Sequence, residues 1–422
     1  MLEQYFIRPD TVDRIRSSWI GEAVERYVSW LTERRYAVRS VVRRVPIVVR
    51  FGDFAREHGA SRWQDLPGHV EAFINWWLRQ RSRERTPRAI RKKLAEEVRN
   101  PIQQMLRLVV PGFVGLGRSH KPENPFGDMA PGFLEYLQQE RGLRDSSVLS
   151  YTHYLRCFAS YLQSIQLTEL QHLSPPVLSA FVTQYGRRVA WSSLRNACGV
   201  LRVFLRYLHR ERVLLKDLSR TVEHPQRYRL STIPRAITWD QVRLTLEAVD
   251  RRTPTGKRDY AILLLLVTYG LRAHEVAALT LDDLDWRNER LRVPQRKAGH
   301  STAYPLSPIV GQAIMAYLQA RQPEASERRI FFRSIAPRAP VTSAVVSDRA
   351  CRYLNKAGIH VPRPGSHTLR HTCVQRLVDA DFSLKVIGDY VGHRTPASTR
   401  IYAKVAIEAL REVACGDGEA IL

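Results

Sequence analysis

The sequence predicts a mainly α-helical chain that closes with an α+β domain, and three observations predict it. Apolar residues recur at three- and four-residue spacing through most of the 422 positions, the period of helices with one buried face. The first third of the chain resembles the second in a constant register. Only the stretch from Arg290 to Leu306 reads as strands, broken by a turn at Gln295 to His300. The expected architecture is two N-terminal helical domains, 1–117 and 127–217, followed by a 235–422 domain with a small antiparallel β-sheet, as a hairpin or three strands.

The repeat organises the helical part. Ser40, Val41, Val48, Phe51, Phe54, Trp63, Leu66 and Val70 align at a shift of 107 with Ser147, Val148, Leu155, Phe158, Tyr161, Leu170, Leu173 and Val177. Trp30-Leu31 aligns with Tyr136-Leu137 at a shift of 106, as one inserted loop residue would produce. Each unit ends in a long helical pattern, Arg88 to Leu108 in the first and Ser192 to Leu208 in the second. In the first of these Pro101 should kink or break the helix, because proline lacks the N–H of the i to i−4 bond. Leu116 to Phe126 carries Gly, Pro, Asn and Ser like a linker, and Leu215 to Pro234 is polar and basic. Thr238-Trp-Asp-Gln241 then reads as a capping box opening a new helix.

Composition narrows the partner. The 66 Lys and Arg against 41 Asp and Glu give a net charge of +25 spread along the chain, so a polyanion is expected. A membrane surface is the weaker choice: no 18-residue apolar run exists, and the longest, Ala261 to Val267, has the length of a core helix. The basic run Arg79 to Lys93 is either a solvated helix face or a set of phosphate contacts. Arg88, Arg91, Lys92 and Lys93 within it, with Arg195 in the second unit, are the candidate DNA-binding side chains. Five dispersed cysteines without a C-x-x-C pair suggest reduced thiols and no zinc. With no secretion signal visible at the amino terminus, a reducing cytoplasm is the expected compartment.

The chemistry gathers near the carboxyl end. His367 and Arg370 share one face if their segment is helical, and Gly392-His393 is followed nine residues later by Tyr402. A phenol with a pKa of about 10 is a poor nucleophile near neutrality unless neighbours take its proton or stabilise its anion. Taken singly, each residue has a plain structural role. Arg272 suits a helix C-terminus, Lys297 a solvated turn, the His367 and Arg370 pair a polar helix face, His393 a cap and Tyr402 a core aromatic.

Taken together, residues 235–414 resemble the tyrosine recombinases, or phage integrase family. Leu271-Arg272-Ala-His-Glu275-Val-Ala-Ala-Leu resembles the family's first arginine motif, Lys297 falls at its hairpin lysine, and His367-Thr-Leu-Arg370-His371 resembles its histidine and second-arginine box. Gly392-His393-Arg-Thr-Pro-Ala-Ser-Thr399-Arg-Ile-Tyr402 has its spacing from second histidine to nucleophile. The second unit resembles the family's helical, SAM-like core-binding domain, and the first is an extra copy that shorter members lack.

The resemblance implies a site-specific recombinase in which Tyr402 forms a 3′-phosphotyrosine. Arg272 and Arg370 would grip phosphate oxygens, Lys297 would protonate the leaving oxygen, His367 would take the tyrosine proton, and His393 would bond a phosphate oxygen. Glu275 would orient Arg272, and His371 would be structural. No metal, cofactor or ATP is expected. The implied partner is double-stranded DNA at specific sites, held by a homo- or hetero-tetramer of recombinases, with no membrane association. The competing readings are a catalytically silent DNA-binding accessory protein of the same fold and a type IB topoisomerase.

Overall fold

The computed structural model describes residues 1–81, 87–115, 124–223, 236–294, 301–321 and 327–392. Its helices and single small sheet have the mainly α, partly α+β character that the sequence predicts. The chain divides into two compact units, one of Leu116–Ser231 and one of Met1–Gly115 with Thr232–Leu422.

Residues 1–115 fold as α1 (Pro9–Ser17), α2 (Gly21–Glu33), α3 (Val38–Glu57), α4 (Leu66–Arg81) and α5 (Arg88–Val109). α5 packs on α2, α3 and α4. It runs through Pro101 without a break, contrary to one of the two outcomes expected there. The missing N–H costs about 3 kcal/mol. Val98, Ile102, Met105 and Leu106 are all 2% exposed or less, and each such burial is worth roughly 1.5–3 kcal/mol, so packing wins. α3 likewise runs through Pro46.

The unit Leu116–Ser231 contains α6 (Phe133–Glu135), continued by a π-turn over Tyr136–Glu140, then α7 (Asp145–Ser164), α8 (Pro175–Gly186) and α9 (Trp191–Arg210). Phe133, Phe158 and Phe204 lie in its core with Leu155 and Leu201. The sequence repeat is also a repeat of elements. α3 and α7 are both 20 residues long, and the one-turn 3₁₀ segments Trp63–Asp65 and Leu170–His172 stand at the same offset of 107. Val41, Val48 and Phe51 of α3 and their counterparts Val148, Leu155 and Phe158 of α7 are all buried. A shared period of buried positions produces the same helix in both places.

The last segment comprises α10 (Trp239–Glu247), α11 (Pro254–Thr268), α12 (Ala273–Ala278), β1 (Leu284–Asp285), β2 (Arg290–Val293), β3 (Thr302–Pro305), α13 (Pro308–Ala320), α14 (Ser343–Lys356), α15 (Ser366–Asp379) and α16 (Leu384–Val391). The expected capping box is formed, with Thr238 and Gln241 each accepting from the other's backbone N–H. The sheet has the order β1-β2-β3, all antiparallel, with Arg290 opposite Pro305 and Val293 opposite Thr302. α11 is the central helix and packs against α13 and α15. Ala261 to Val267 are at most 6% exposed, as a helix that is apolar all round requires.

Charge is buried in that core only where it is matched. Arg258 donates to Asp259 Oδ1 at 2.9 and 2.6 Å, and to the Phe332 carbonyl at 2.8 Å. Tyr353 donates its hydroxyl to Asp259 Oδ2 at 3.1 Å. Burial first, and then the Asp259 charge, push the Tyr353 phenol up to about 12.

Candidate active site

Two arginines from distant parts of the chain meet at the C-terminal end of α16. Arg272 is the N-cap of α12, where its own N–H donates to Glu275 Oε2 at 2.8 Å and its Nη1 to Glu275 Oε1 at 2.9 Å. Its Nη2 reaches across to the Gly392 carbonyl at 2.7 Å. Arg370, on α15 and only 5% exposed, donates Nη2 to the Val391 carbonyl at 2.7 Å and Nη1 to the Gly270 carbonyl. Val391 and Gly392 are consecutive, and consecutive Cα atoms lie about 3.8 Å apart. The guanidiniums are therefore neighbours although 98 residues separate them in sequence. Repulsion between them is offset by Glu275, whose side chain is 2% exposed, and by the negative end of the α16 dipole.

Backbone conformation presents these carbonyls. Gly392 caps α16 in the left-handed region at φ 65°, ψ 53°, the usual glycine solution for ending a helix. Gly270 turns the chain after α11 at φ 58°. A Cβ there would stand 3.1 Å from Val391 Cγ1 and 3.2 Å from Cys373 Sγ. Cys373 donates its thiol to the Thr268 carbonyl, and burial pushes its pKa up to about 12. A thiol so hard to ionise is a packing group, not a nucleophile.

His367 lies one turn before Arg370 on α15 and is open to solvent. Partial burial first, then the Arg370 and Arg272 charges, hold its imidazole below the ordinary value. His367 is thereby kept neutral near pH 7, the form able to accept a proton. The His371 ring is 6.4 Å from that of His367.

The strands are tied to the same place by tyrosines. Tyr304 of β3 donates to the Tyr390 carbonyl, Tyr390 donates to the Thr268 carbonyl at 3.1 Å, and Tyr269 donates to the Pro305 carbonyl at 2.9 Å. The Tyr304 ring centroid is 5.1 Å from that of Tyr269 and 5.0 Å from that of Tyr390. The hairpin that would carry Lys297 is thus anchored beside the ends of α11 and α16.

Of the six candidate catalytic residues, Arg272, His367 and Arg370 are brought together. Lys297, His393 and Tyr402 lie outside the described residues. Among the DNA-binding candidates, Arg91, Lys92 and Lys93 are exposed on the first turns of α5 and Arg195 is exposed on α9, whereas the Arg88 side chain is not among those described. Sequence reasoning missed the carbonyls of Gly270, Val391 and Gly392 and the tyrosine cluster. The only signals for them are Tyr269-Gly270 ahead of Arg272 and Tyr390-Val-Gly392 ahead of His393.

Residues 235–408 match the phage integrase family and residues 131–212 match the phage integrase N-terminal SAM-like domain. The chain is 30% identical over 415 residues to the putative integrase/recombinase y4rA of Sinorhizobium fredii, covering 97% of this chain and 98% of that one. It is 29% identical over 306 residues to tyrosine recombinase XerD of Mycobacterium tuberculosis, covering 68% and 95%. Its fold is similar to that of the XerH site-specific recombinase in a post-cleavage complex with a palindromic difH substrate, with a TM-score of 0.56 at 16% identity over 83% of this chain and 96% of that one. A lambda integrase dimer bound to a COC′ core site gives a TM-score of 0.52 at 18% identity over 64% and 95%. The chain belongs to the phage integrase family, the tyrosine-type enzymes that break and rejoin DNA strands. Among the described residues no helix is long and apolar enough to cross a membrane.

Proposed function

We propose that the chain is a site-specific recombinase of the integrase or transposase type, using Tyr402 to cleave duplex DNA and hold the 3′ end as a phosphotyrosine. The observation that carries this reading is the seating of Arg272 and Arg370 on adjacent carbonyls, with His367 one turn away from Arg370. Tyr402 Oη attacks phosphorus and the bond to the 5′ oxygen breaks. His367 takes the phenol proton and Lys297 supplies one to the leaving oxygen. Charge that builds on the non-bridging oxygens is met by the two guanidiniums, with His393 as a further donor; donors of this kind are each worth about 10²–10³ in rate. The Arg272 side chain is 16% exposed, the opening through which a phosphate oxygen would reach it.

The arginines fill the role that a metal fills in other phosphoryl transfers, and the phosphotyrosine conserves the bond, so the reaction needs neither metal nor ATP. A 5′-hydroxyl from a second duplex reverses the step, making exchange the outcome. In this reading the chain works as three domains, 1–117, 127–217 and 235–422, with Glu275 orienting Arg272, His371 structural, and a tetramer of recombinases assembled on double-stranded DNA.

The test is covalent trapping on a nicked candidate site in the presence of EDTA. The wild-type chain should give a protein–DNA adduct, and Tyr402→Phe should give none while still binding DNA. An adduct formed equally by Tyr402→Phe, or one lost to EDTA, overturns the assignment.

A further inference from the structure

We propose that the outer face of α13, with Trp286 and the groove beside it, is a docking surface for an acidic segment of a partner protein. The inference stands apart from the recombinase reading and concerns a helix that the mechanism does not use. At the chain's 25% charged residues, a helix of 13 residues would carry about three charges, and α13 carries none. Its inner face is already complete: Val310, Ile314 and Tyr317 are buried where the helix packs on α11. Its outer face is nevertheless apolar. Ile309 is 61% exposed and Met315 44%, with Gln312, three residues from each, exposed between them. Trp286, also exposed, lies against this helix, with its ring edge 3.6 Å from the place a Cβ would take at Gly311, one turn before Met315. α8 is uncharged too, but it exposes only proline and small or polar side chains. Isolated apolar residues on a surface are ordinary. A continuous uncharged group containing tryptophan and methionine has the composition of an interface core.

The occupant follows from charge. Beside Ile309 a groove of about 370 Å³ has Arg251, Lys257 and Tyr260 on one side and Ala313 and Ala316 on the other. The Arg251 guanidinium is 4.8 Å from the centroid of the Tyr260 ring, and no carboxylate among the described residues lines the groove. Two cations beside an apolar patch suit a segment that carries carboxylates and also offers an apolar side chain. A second copy of this chain is a poor fit, because it would bring the same two cations and the same net charge of +25. Duplex DNA is a poor fit for α13 itself, which has no cation to meet a phosphate. The surface is also removed from the candidate site: from Tyr260 to Thr268, where α11 ends, the helix rises about 12 Å.

The test uses the full-length chain and a fluorescent synthetic helical peptide of glutamates with leucines at i, i+3 and i+7, its anisotropy read first without and then with saturating duplex DNA. The wild-type chain should bind the peptide in both conditions. Ile309→Ser/Met315→Ser and, separately, Arg251→Glu/Lys257→Glu should each weaken binding by about tenfold, the loss expected where interface anchors are removed, while affinity for DNA stays that of the wild type. Circular dichroism checks that both variants fold, and Arg251→Glu alone takes the place of the charge-reversed pair if that pair does not. Absence of peptide binding, binding indifferent to both variants, or displacement of the peptide by DNA overturns the proposal, the last by assigning the groove to phosphate. A DNA-free dimer of the wild-type chain that Ile309→Ser/Met315→Ser dissolves in sedimentation also overturns it, in favour of a second copy. The recombinase reading fails separately, through the absence of a Tyr402-dependent adduct from the wild-type chain, whatever the peptide does.

Discussion

Arg370 is the side chain for which no substitute serves, because one planar group spans two carbonyls on different elements, Gly270 after α11 and Val391 at the end of α16. A lysine ammonium is a single point donor and reaches only one of them. Arg370→Ala strands buried acceptors at about 1–3 kcal/mol each, so thermal melts should show a clear loss of stability, and the adduct rate should fall by about 10²–10³. Arg272→Gln tests the electrostatic link to His367. The imidazole sits below the ordinary histidine value because of burial, Arg370 and Arg272, in that order, so deleting one cation should raise its pKa in an NMR titration. An unmoved resonance would mean that Arg272 does not face this ring. The sign for stability follows from the same shift. The unfolded chain binds a proton at His367 more readily than the folded one, so this residue makes stability fall as pH drops below 6.5. The mutant should fall less steeply there.

Elements are positioned by contacts that their own sequences do not announce. α11 ends at Thr268, and Gly270 just beyond it combines a left-handed conformation with neighbours that would crowd a side chain. Gly270→Ala should therefore cost about 1–3 kcal/mol and disturb the carbonyl that receives Arg370. The sheet is fastened through Tyr304, and Tyr304→Phe should cost about 0.5–1.5 kcal/mol while slowing adduct formation through the hairpin. At the start of α11 the Arg258–Asp259 pair is almost fully buried. Asp259→Ala should destabilise by about 3–5 kcal/mol because it leaves an unmatched cation, whereas exchanging both partners for apolar residues of similar volume should cost far less. Equal losses in chemical denaturation for the single and double exchange would refute that account. The tertiary setting also explains Pro101: local propensity ends a helix there, but the buried face of α5 carries it through.

Across the whole molecule, the net charge of +25 suits a protein whose ligand is a polyanion, and affinity for duplex DNA should fall steeply with salt. Much of the architecture was legible because it repeats. The offset of 107 recurs in the helix lengths and buried positions of α3 and α7, and β2 and β3 begin at Arg290 and Thr302 as the strand pattern suggested, each ending one residue before the expected Pro294 and Leu306. The candidate site was legible as residue types in order, since Arg272, His367 and Arg370 are chemically distinctive. Its supports were not, because carbonyls occur at every position and no side-chain letter marks the ones that a fold will use.

The sequence by itself determined the helical period, the duplicated unit, the basic charge and the order of arginine, lysine, histidine and tyrosine along the last domain. Only the tertiary structure decided that Arg272 and Arg370 share the end of one helix, that His367 feels both charges, and that three tyrosines lock the strands beside them. The division has a physical cause. Periodicity and capping act between residues a few positions apart, whereas the meeting of two guanidiniums about a hundred residues apart depends on how α11, α15 and α16 pack around a common core.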